Sequence, residues 1–232
     1  MTAIILDTET TGLDNPDVIQ LATTTPVATP APGLSHLPVV SQFFAPTKPI
    51  SIAAMAVHHV IAEDLTGAAP WQGHWTPPGG VKWIIGHNVD FDWKAIGSPE
   101  IRRIDTLALS RWLWPDIESH SLGALLYFLW PHHRARELLR SAHSADQDVL
   151  ICAILLDEIL ARRPMSSWEE VWQASERARI PLRMPLGKYG PQNGKPGMLI
   201  EELRERDPNY VGWCLRQDFD PYLLKALRGE AA

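Results

Sequence analysis

The sequence predicts an α/β fold in which a sheet has helices on its faces and a small, mainly helical module follows. Short β-forming runs dominate the first part of the chain, and the pattern turns helical after residue 104. Pro164 ends the longest helical pattern, and short helical segments resume beyond it. Strands first, and helices mixed with strands afterwards, are typical of a sheet flanked by helices.

Five runs of the sequence are predicted to form the strands of this sheet. They cover residues 3–7, 18–25, 38–45, 81–86 and 101–104. The Pro- and Thr-rich stretch at 23–38 is interpreted as a long hairpin loop, because a strand-like run resumes after it. A second loop is predicted at 70–80.

Helical patterns fill much of the remaining chain. Residues 49–65 predict two short helices, and the stretch "DQDVLICAILLDEILARR" predicts a long one. Ser144 and Gln147 fit a capping box, so the long helix is predicted to start at Ser144.

The chain is predicted to divide near Pro164 into a domain of residues 1–164 and a smaller domain of residues 165–232. Residues 181–197 of the smaller domain are rich in Gly and Pro and contain no acid. Two interpretations of the basic residues in this region stay open. They track a phosphate backbone beside a stacking ring, or they belong to a solvated loop beside a small helical core that contains Trp213. The residues concerned are Arg179, Arg183, Lys188, Tyr189 and Lys195.

Composition limits the class of protein. The chain has 232 residues and a net charge of −6, which disfavours a protein that coats nucleic acid through bulk electrostatics. The charge still allows an enzyme whose acids bind metal ions that in turn bind phosphate. No apolar stretch approaches transmembrane length and no secretory signal pattern is present, so no membrane association is expected. Two cysteines in apolar segments favour a reduced, cytoplasmic protein.

Two acids follow the first predicted strand in "IILDTETTGL". Asp7 and Glu9 are two residues apart, so in a strand both side chains project from the same face. Two neighbouring carboxylates repel, and each raises the pKa of the other. A divalent cation between them is the simplest way to balance the charge. The alternative is a strand that runs out into solvent with a polar end, so this pair needs independent support.

Two further stretches supply that support. "IIGHNVDFD" is again an apolar strand followed by acids, Asp90 and Asp92, although acids are also favoured at a helix N-terminus. In "AHSADQDVLICAILLDEIL", the predicted helix start places His143 just outside the helix and Asp148 in its first turn. We expect both residues to face one cleft.

The three stretches together resemble the three motifs of the DnaQ-like 3′→5′ exonucleases, in the subclass whose third motif carries a His five residues before an Asp. "DTETTG" is similar to the first motif, "HNVDFD" to the second and "HSADQD" to the third. The acid of the second motif follows a Phe, so the resemblance selects Asp92 and not Asp90. The segment "KPISIAAMAVHHVIAEDL" and the C-terminal tail are also similar to members of this family, so the resemblance covers nearly the whole chain.

The resemblance implies a ribonuclease H-like mixed sheet, with the acids clustered at one end and two Mg²⁺ or Mn²⁺ ions bound. Such ions lie about 3.5–4 Å apart in two-metal nucleases and flank the scissile phosphate. Asp7 would bridge both ions, Glu9 and Asp148 would complete one, and Asp92 would help to hold the other. His143 would take the proton of the attacking water, since the reference pKa of His lies near neutral pH.

The resemblance also implies a set of substrate contacts. Leu13 would place an apolar side chain against the terminal base, or it is a buried turn residue. His87 and Asn88 would contact the substrate strand, or they fix the turn before the following helix. Asp105, by contrast, is interpreted as a helix cap. The implied substrate-binding residues are Thr8, Thr10, Gly12, Leu13, His58, His87 and Asn88.

The implied activity is hydrolysis from a free 3′ end that releases nucleoside 5′-monophosphates, with DNA favoured over RNA as the substrate. One alternative is an exoribonuclease on the same scaffold. Another is a non-catalytic protein that binds 3′ ends, or a proofreading subunit of a polymerase. The five motif positions are all filled, which favours the enzyme over a pure binding protein.

Overall fold

The computed structural model describes residues 1–140, 144–192 and 195–230. Contacts within the chain divide it into two compact units, one ending at Ser175 and the other starting at Glu176. The domain boundary that the sequence predicts near Pro164 stays a prediction.

Within the described residues, a six-stranded sheet forms the centre of the first unit. Its strands are β1 (Thr2–Thr10), β2 (Val18–Thr24), β3 (Val39–Ala45), β4 (Ala69–Pro70), β5 (Val81–Gly86) and β6 (Arg102–Asp105). They lie in the order β4–β3–β2–β1–β5–β6. β1 pairs antiparallel with β2 and parallel with β5, so the sheet is mixed. The pair β2–β3 is antiparallel, whereas β5–β6 and β3–β4 are parallel.

Helices occupy much of the rest of the described chain. In chain order they are α1 (Ile52–His58), α2 (Asp90–Ala95), α3 (Thr106–Leu113), α4 (Leu122–Leu129), α5 (His132–Leu139), α6 (Ala145–Arg162), α7 (Trp168–Ala178), α8 (Ile200–Arg206), α9 (Pro208–Cys214) and α10 (Pro221–Arg228). Side chains that accept the first free backbone N–H groups fix several starts, among them Ser51 at α1, Asp105 at α3 and Ser121 at α4. In the described part of the chain, no helix combines the length and the apolar character that crossing a bilayer requires.

The two faces of β1 carry different side chains because successive residues of a strand alternate. Ile4 and Leu6 enter an apolar cluster with Ile84 and Ile96, beside α2. Asp7 and Glu9 belong to the alternate positions, and Asp148 of α6 meets them there. Since α6 contacts β1, β2 and β3, one helix start is held against the strand that carries two of the acids.

The fold class predicted from the sequence is confirmed. β5 has the predicted bounds, and β1, β2, β3 and β6 agree with the prediction to within a few residues. The segment 49–65 forms α1 followed by a 3₁₀ turn, Ala62–Leu65, as two short helices were predicted there. Two-residue β4 was missed, because so short a strand leaves no periodic pattern.

The second unit contains helices α8, α9 and α10 around its own apolar core. Leu203, Val211, Leu223 and Leu227 are buried in this core. Before α8, a bridge between Arg183 and Leu199 joins two extended segments. The unit is therefore mainly helical, as the sequence predicts.

Candidate active site

Asp7 and Glu9 lie near the C-terminal end of β1 and project to the same side of the sheet. In the antiparallel pair with β2, Asp7 is opposite Ala22 and Glu9 is opposite Gln20. The register shifts directly after Glu9, where β1 pairs Thr10 with Val18. Such an irregularity bends and twists a strand, and here it lies next to the acids.

Asp148 joins the two strand acids from the first turn of α6. Carboxylate oxygens of Asp7, Glu9 and Asp148 all lie within 4.8 Å of one another. Within residues 1–140, 144–192 and 195–230, these acids form the one group of three side chains placed to share a cation. Three carboxylate ligands with no basic side chain in the group suit a hard divalent ion.

Asp92 approaches the same end of β1 from α2. Its Oδ1 accepts hydrogen bonds from the backbone N–H of Thr8, at 2.9 Å, and from the Thr8 hydroxyl, at 2.7 Å. Thr8 is buried and sits between Asp7 and Glu9 in sequence, so these bonds tie Asp92 to the strand that carries the other acids. Thr8 therefore positions Asp92, and its substrate contact stays a prediction.

Asp90, the other acid of this stretch, has a different environment. Its Oδ1 accepts a hydrogen bond of 2.8 Å from Arg103, whose guanidinium lies 4.1 Å from the centre of the Trp93 ring. Residues two positions apart on a helix are separated by about 200° around its axis, so Asp90 and Asp92 face different directions. The geometry agrees with the assignment of the second motif to Asp92.

The carboxyl groups raise one another's pKa values. Burial, followed by repulsion from Asp92, Asp148 and Glu9, raises the pKa of Asp7 well above its usual value. The pKa of Glu9 is raised to about 8, chiefly by burial and then by the carboxylates of Asp148 and Asp92. Burial raises the pKa of Asp92 to about 7, although the Thr8 hydrogen bonds oppose the change. A bound cation would offset both the burial and the repulsion, so the cluster fits a metal ion.

Gln20 connects the sheet to the start of α6, and sequence analysis missed it. Its Oε1 accepts from the backbone N–H of Ala145 at 3.2 Å, and its Nε2 donates to Asp146 at 3.3 Å and to Ser41 at 2.8 Å. Gln20 is buried and lies opposite Glu9 in the β1–β2 pair. It therefore fixes the helix end that carries Asp148 relative to the strand acids.

The predicted capping box at the start of α6 is wrong. Ser144 occupies the N-cap position, as predicted, but its side chain makes no capping hydrogen bond. The backbone carbonyl of Ser144 instead accepts from Gln147 and Asp148, and Gln20 binds the N–H of Ala145. A residue distant in sequence thus takes the place of the local cap.

His87 is held inside the protein by both ring nitrogens. Nδ1 lies 3.1 Å from the Thr106 hydroxyl, and Nε2 lies 2.7 Å from the backbone carbonyl of His120. Burial lowers the pKa of His87, so the neutral ring is favoured. This placement agrees with the interpretation that His87 fixes the turn, and its contact with substrate stays a prediction.

Asn88 takes a left-handed backbone conformation, with φ of 66°, in the same turn. Its N–H donates to Asp105 at 2.9 Å, and Asp105 also caps α3 through the N–H of Leu107. The interpretation of Asp105 as a helix cap is confirmed. Asn88 itself is exposed, so its side chain is available to a substrate strand.

His58 is buried at the end of α1. Its Nδ1 accepts from the N–H of Val60 at 3.0 Å, which leaves Nε2 as the protonated nitrogen facing the carbonyl of Thr10 at 3.2 Å. Burial lowers the pKa of His58, so the ring stays neutral near pH 7. The histidine therefore fixes the end of β1, and any substrate contact of its ring stays a prediction.

The turn after β1 presents Leu13 to solvent. The Thr10 hydroxyl donates to the carbonyl of Gly12 at 2.8 Å, and backbone and side-chain bonds between Thr11 and Asp17 close the turn. Leu13 is 87% exposed, so the alternative of a buried turn residue is wrong. An apolar side chain that is exposed in the turn after the acid-bearing strand is suited to contact a base.

His143, the predicted general base, lies outside the described residues. Asp148, five residues later, is described and holds the position that the third motif predicts.

Similar proteins were found both by sequence and by structure. Exodeoxyribonuclease 10 of Escherichia coli strain K12 is 28% identical over 222 residues, which cover 90% of this chain and 88% of that protein. A solved structure of exonuclease X in complex with 5′ overhanging duplex DNA superposes with a TM-score of 0.56 at 25% identity, and covers 75% of this chain and 99% of that one. The resemblance to the DnaQ-like exonucleases is confirmed.

More distant likeness concerns the fold alone. A zinc-bound complex of Escherichia coli exonuclease I with single-stranded DNA superposes with a TM-score of 0.54 at 17% identity. The superposition covers 70% of this chain and 41% of the exonuclease I chain. No protein-family model matches the chain.

Proposed function

We propose that the chain is a metal-dependent 3′→5′ exodeoxyribonuclease. One observation carries the proposal: Asp7, Glu9 and Asp148 bring carboxylate oxygens within 4.8 Å of one another at one end of β1. The similarity to exodeoxyribonuclease 10 extends over 90% of the chain and supports the same type of activity. The solved exonuclease X complex, which contains duplex DNA with a 5′ overhang, supports DNA as the substrate.

The acids would hold two Mg²⁺ or Mn²⁺ ions. Asp7 is the proposed shared ligand, Glu9 and Asp148 complete one site, and Asp92 contributes to the other. Such ions activate water as a nucleophile near neutral pH and stabilise the charge on a leaving oxygen. The raised pKa values of Asp7, Glu9 and Asp92 support their role as metal ligands, because a bound cation would stabilise the charged carboxylates.

The chain's own residues supply the other parts of the reaction. Thr8 holds Asp92 in place through two hydrogen bonds, and Gln20 holds the start of α6. Leu13 is proposed to pack against the terminal base. His143 is proposed to accept the proton of the attacking water. Attack of water on the scissile phosphorus would break its bond to the 3′ oxygen of the preceding nucleotide, so that the strand keeps a free 3′-hydroxyl and the terminal nucleotide leaves as a nucleoside 5′-monophosphate.

A labelled-substrate assay tests this function directly. The purified chain is incubated with Mg²⁺ and with DNA or RNA strands labelled at the 5′ end or at the 3′ end. A 3′→5′ exonuclease shortens the 5′-labelled DNA in single-nucleotide steps and releases mononucleotide at once from the 3′-labelled strand. Faster degradation of RNA would favour the exoribonuclease, and binding without hydrolysis would favour the 3′-end-binding protein.

A further inference from the structure

A group of aromatic rings at the surface of the second unit has no role in the proposed reaction. The Trp213 ring stacks on Tyr210, with centroids 5.6 Å apart and planes at 27°. Tyr189 meets Tyr210 edge-on at 5.1 Å, and Phe219 meets Trp213 edge-on at 6.2 Å. Trp213 is nevertheless 45% exposed, so a large indole surface is held in one orientation and remains open to solvent.

A basic residue lies beside these rings. The ammonium group of Lys188 is 4.7 Å from the centre of the Tyr189 ring and 5.8 Å from that of Tyr210. One ion pair, of 3.1 Å, joins Lys188 to Asp207, and 62% of the lysine side chain is exposed. Because an ammonium group has three donors, Lys188 can contact Asp207 and an external anion together.

The loop that carries Lys188 is built to hold one shape. A Cβ at Gly187, where φ is 74°, would lie 2.6 Å from the Tyr210 hydroxyl oxygen. A Cβ at Gly190 would lie 2.5 Å from the backbone of Leu186. Both glycines therefore allow a close backbone approach that any other residue would prevent. Lys188 is presented beside Tyr210 on this tightly packed loop.

Charge distinguishes this unit from the one that carries the acids. From residue 176 onward the chain has ten Lys and Arg against eight Asp and Glu, whereas residues 1–175 have eleven against nineteen. Residues 181–200 contain no acid at all. Arg216 is exposed and its Nη1 lies near Gly212, the neighbour of Trp213. A polyanion is thus better suited to this unit than to the surface of the first.

We propose that the surface formed by Trp213, Tyr210, Lys188 and Arg216 binds single-stranded DNA. A base stacks on the exposed part of the Trp213 indole, while Lys188 and Arg216 contact phosphates. Stacking rings combined with basic side chains are the usual means by which proteins hold single strands without reading their sequence. The inference rests on the proposed function only for the choice of DNA as the strand, since binding here needs neither metal nor hydrolysis.

Fluorescence anisotropy of a labelled oligodeoxythymidylate, measured on the full chain in EDTA, tests the stacking contact. Trp213→Ala should weaken binding roughly 5- to 150-fold, the range for the loss of one base–aromatic stack. Trp112→Ala is the matched control, because Trp112 is 43% exposed, lies in the first unit and has Arg163 4.9 Å from its ring centre. This control should bind like the parent chain. Equal losses in the two variants, or no loss in either, would overturn the proposal.

The salt dependence of the same binding tests the phosphate contacts. Lys188→Gln keeps a polar side chain but removes one charge, so the slope of log affinity against log salt should become shallower by about 0.7. An unchanged slope would overturn the proposed contact between Lys188 and a phosphate. Trp213→Phe keeps a ring and should lose less affinity than Trp213→Ala, which separates loss of stacking from loss of folding. The binding assay excludes metal, so its result does not depend on hydrolysis. A chain that binds single strands in EDTA but does not hydrolyse DNA in Mg²⁺ would contradict only the proposed function.

Discussion

Replacing Glu9 with Gln removes one charge from the acid cluster and should stabilise the metal-free protein. A carboxyl whose pKa is raised on folding binds its proton more tightly in the folded state than in the unfolded state. The parent chain therefore loses stability as the pH rises from the unfolded pKa toward the folded one. Gln at position 9 carries no charge at any pH, so the variant escapes this loss.

The magnitude follows from the pKa of Glu9, which burial and the neighbouring carboxylates raise from 4.5 to about 8. At about 1.4 kcal/mol for each pH unit, the cost of ionising this group in the fold has a ceiling of about 5 kcal/mol. By the same relation, the cost is about 3 kcal/mol at pH 7 and about 1 kcal/mol at pH 5. Local relaxation lowers these values, so we expect a gain of about 1–3 kcal/mol at pH 7.

Urea unfolding in EDTA at several pH values measures this gain. Glu9→Gln should unfold at higher urea than the parent at about pH 7, and the difference should shrink toward pH 5. Asp90→Asn is the matched control, because it also removes one acidic charge, but from a partly exposed ion pair with Arg103. This variant should lose up to about 1 kcal/mol of unfolding free energy. A Glu9→Gln variant that is less stable than the parent at pH 7, or a gain that persists unchanged at pH 5, would refute the raised pKa of Glu9.

Three further variants test the assignment of roles. Asp92→Asn should abolish most nuclease activity, because Thr8 holds Asp92 beside the acid cluster. Asp90→Asn should lower the activity only slightly, because Asp90 is bound by Arg103 instead. Equal losses of activity on one labelled strand would overturn the assignment of the metal ligand to Asp92. Gln20→Leu removes the acceptor for the backbone N–H of Ala145 at the start of α6. The variant should need more Mg²⁺ for half-maximal rate, while its circular dichroism spectrum stays unchanged. An unchanged Mg²⁺ requirement would contradict the positioning role of Gln20. His143→Ala should lower turnover roughly 10²–10⁴-fold with little change in metal affinity by calorimetry, and a lost affinity would make His143 a ligand.

Local patterns were sufficient to predict five of the six strands and to place Asp7, Glu9 and Asp148. Asp7 and Glu9 follow an aliphatic run, and the spacing of two residues is enough to place both side chains on one face of β1. Asp148 was placed correctly because the start of a long helix fixes its first turn. These features depend on neighbours in sequence, so a single sequence contains the signal.

Contacts between distant segments could not be predicted in the same way. Gln20 is one glutamine in an apolar strand, and nothing near it in sequence indicates that it binds Ala145. The local capping box at Ser144 and Gln147 was therefore the natural prediction, and it was wrong. The sequence assigns His58 to the substrate cleft and leaves His87 between a substrate contact and a role in the turn. It gives no sign that their ring nitrogens contact distant segments, and their substrate contacts stay predictions. The positions of Gln20, His58 and His87 depend on hydrogen bonds between segments that are distant in sequence.

The most direct test of the central claim compares the parent chain with Asp7→Asn on 5′-labelled single-stranded DNA in Mg²⁺. Asp7 lies in the group of three acids whose oxygens approach within 4.8 Å, and it is the proposed shared ligand. The parent should produce a ladder of strands shortened from the 3′ end, and Asp7→Asn should leave the strand intact while remaining folded. Near-normal Mg²⁺-dependent shortening by Asp7→Asn would contradict the metal site.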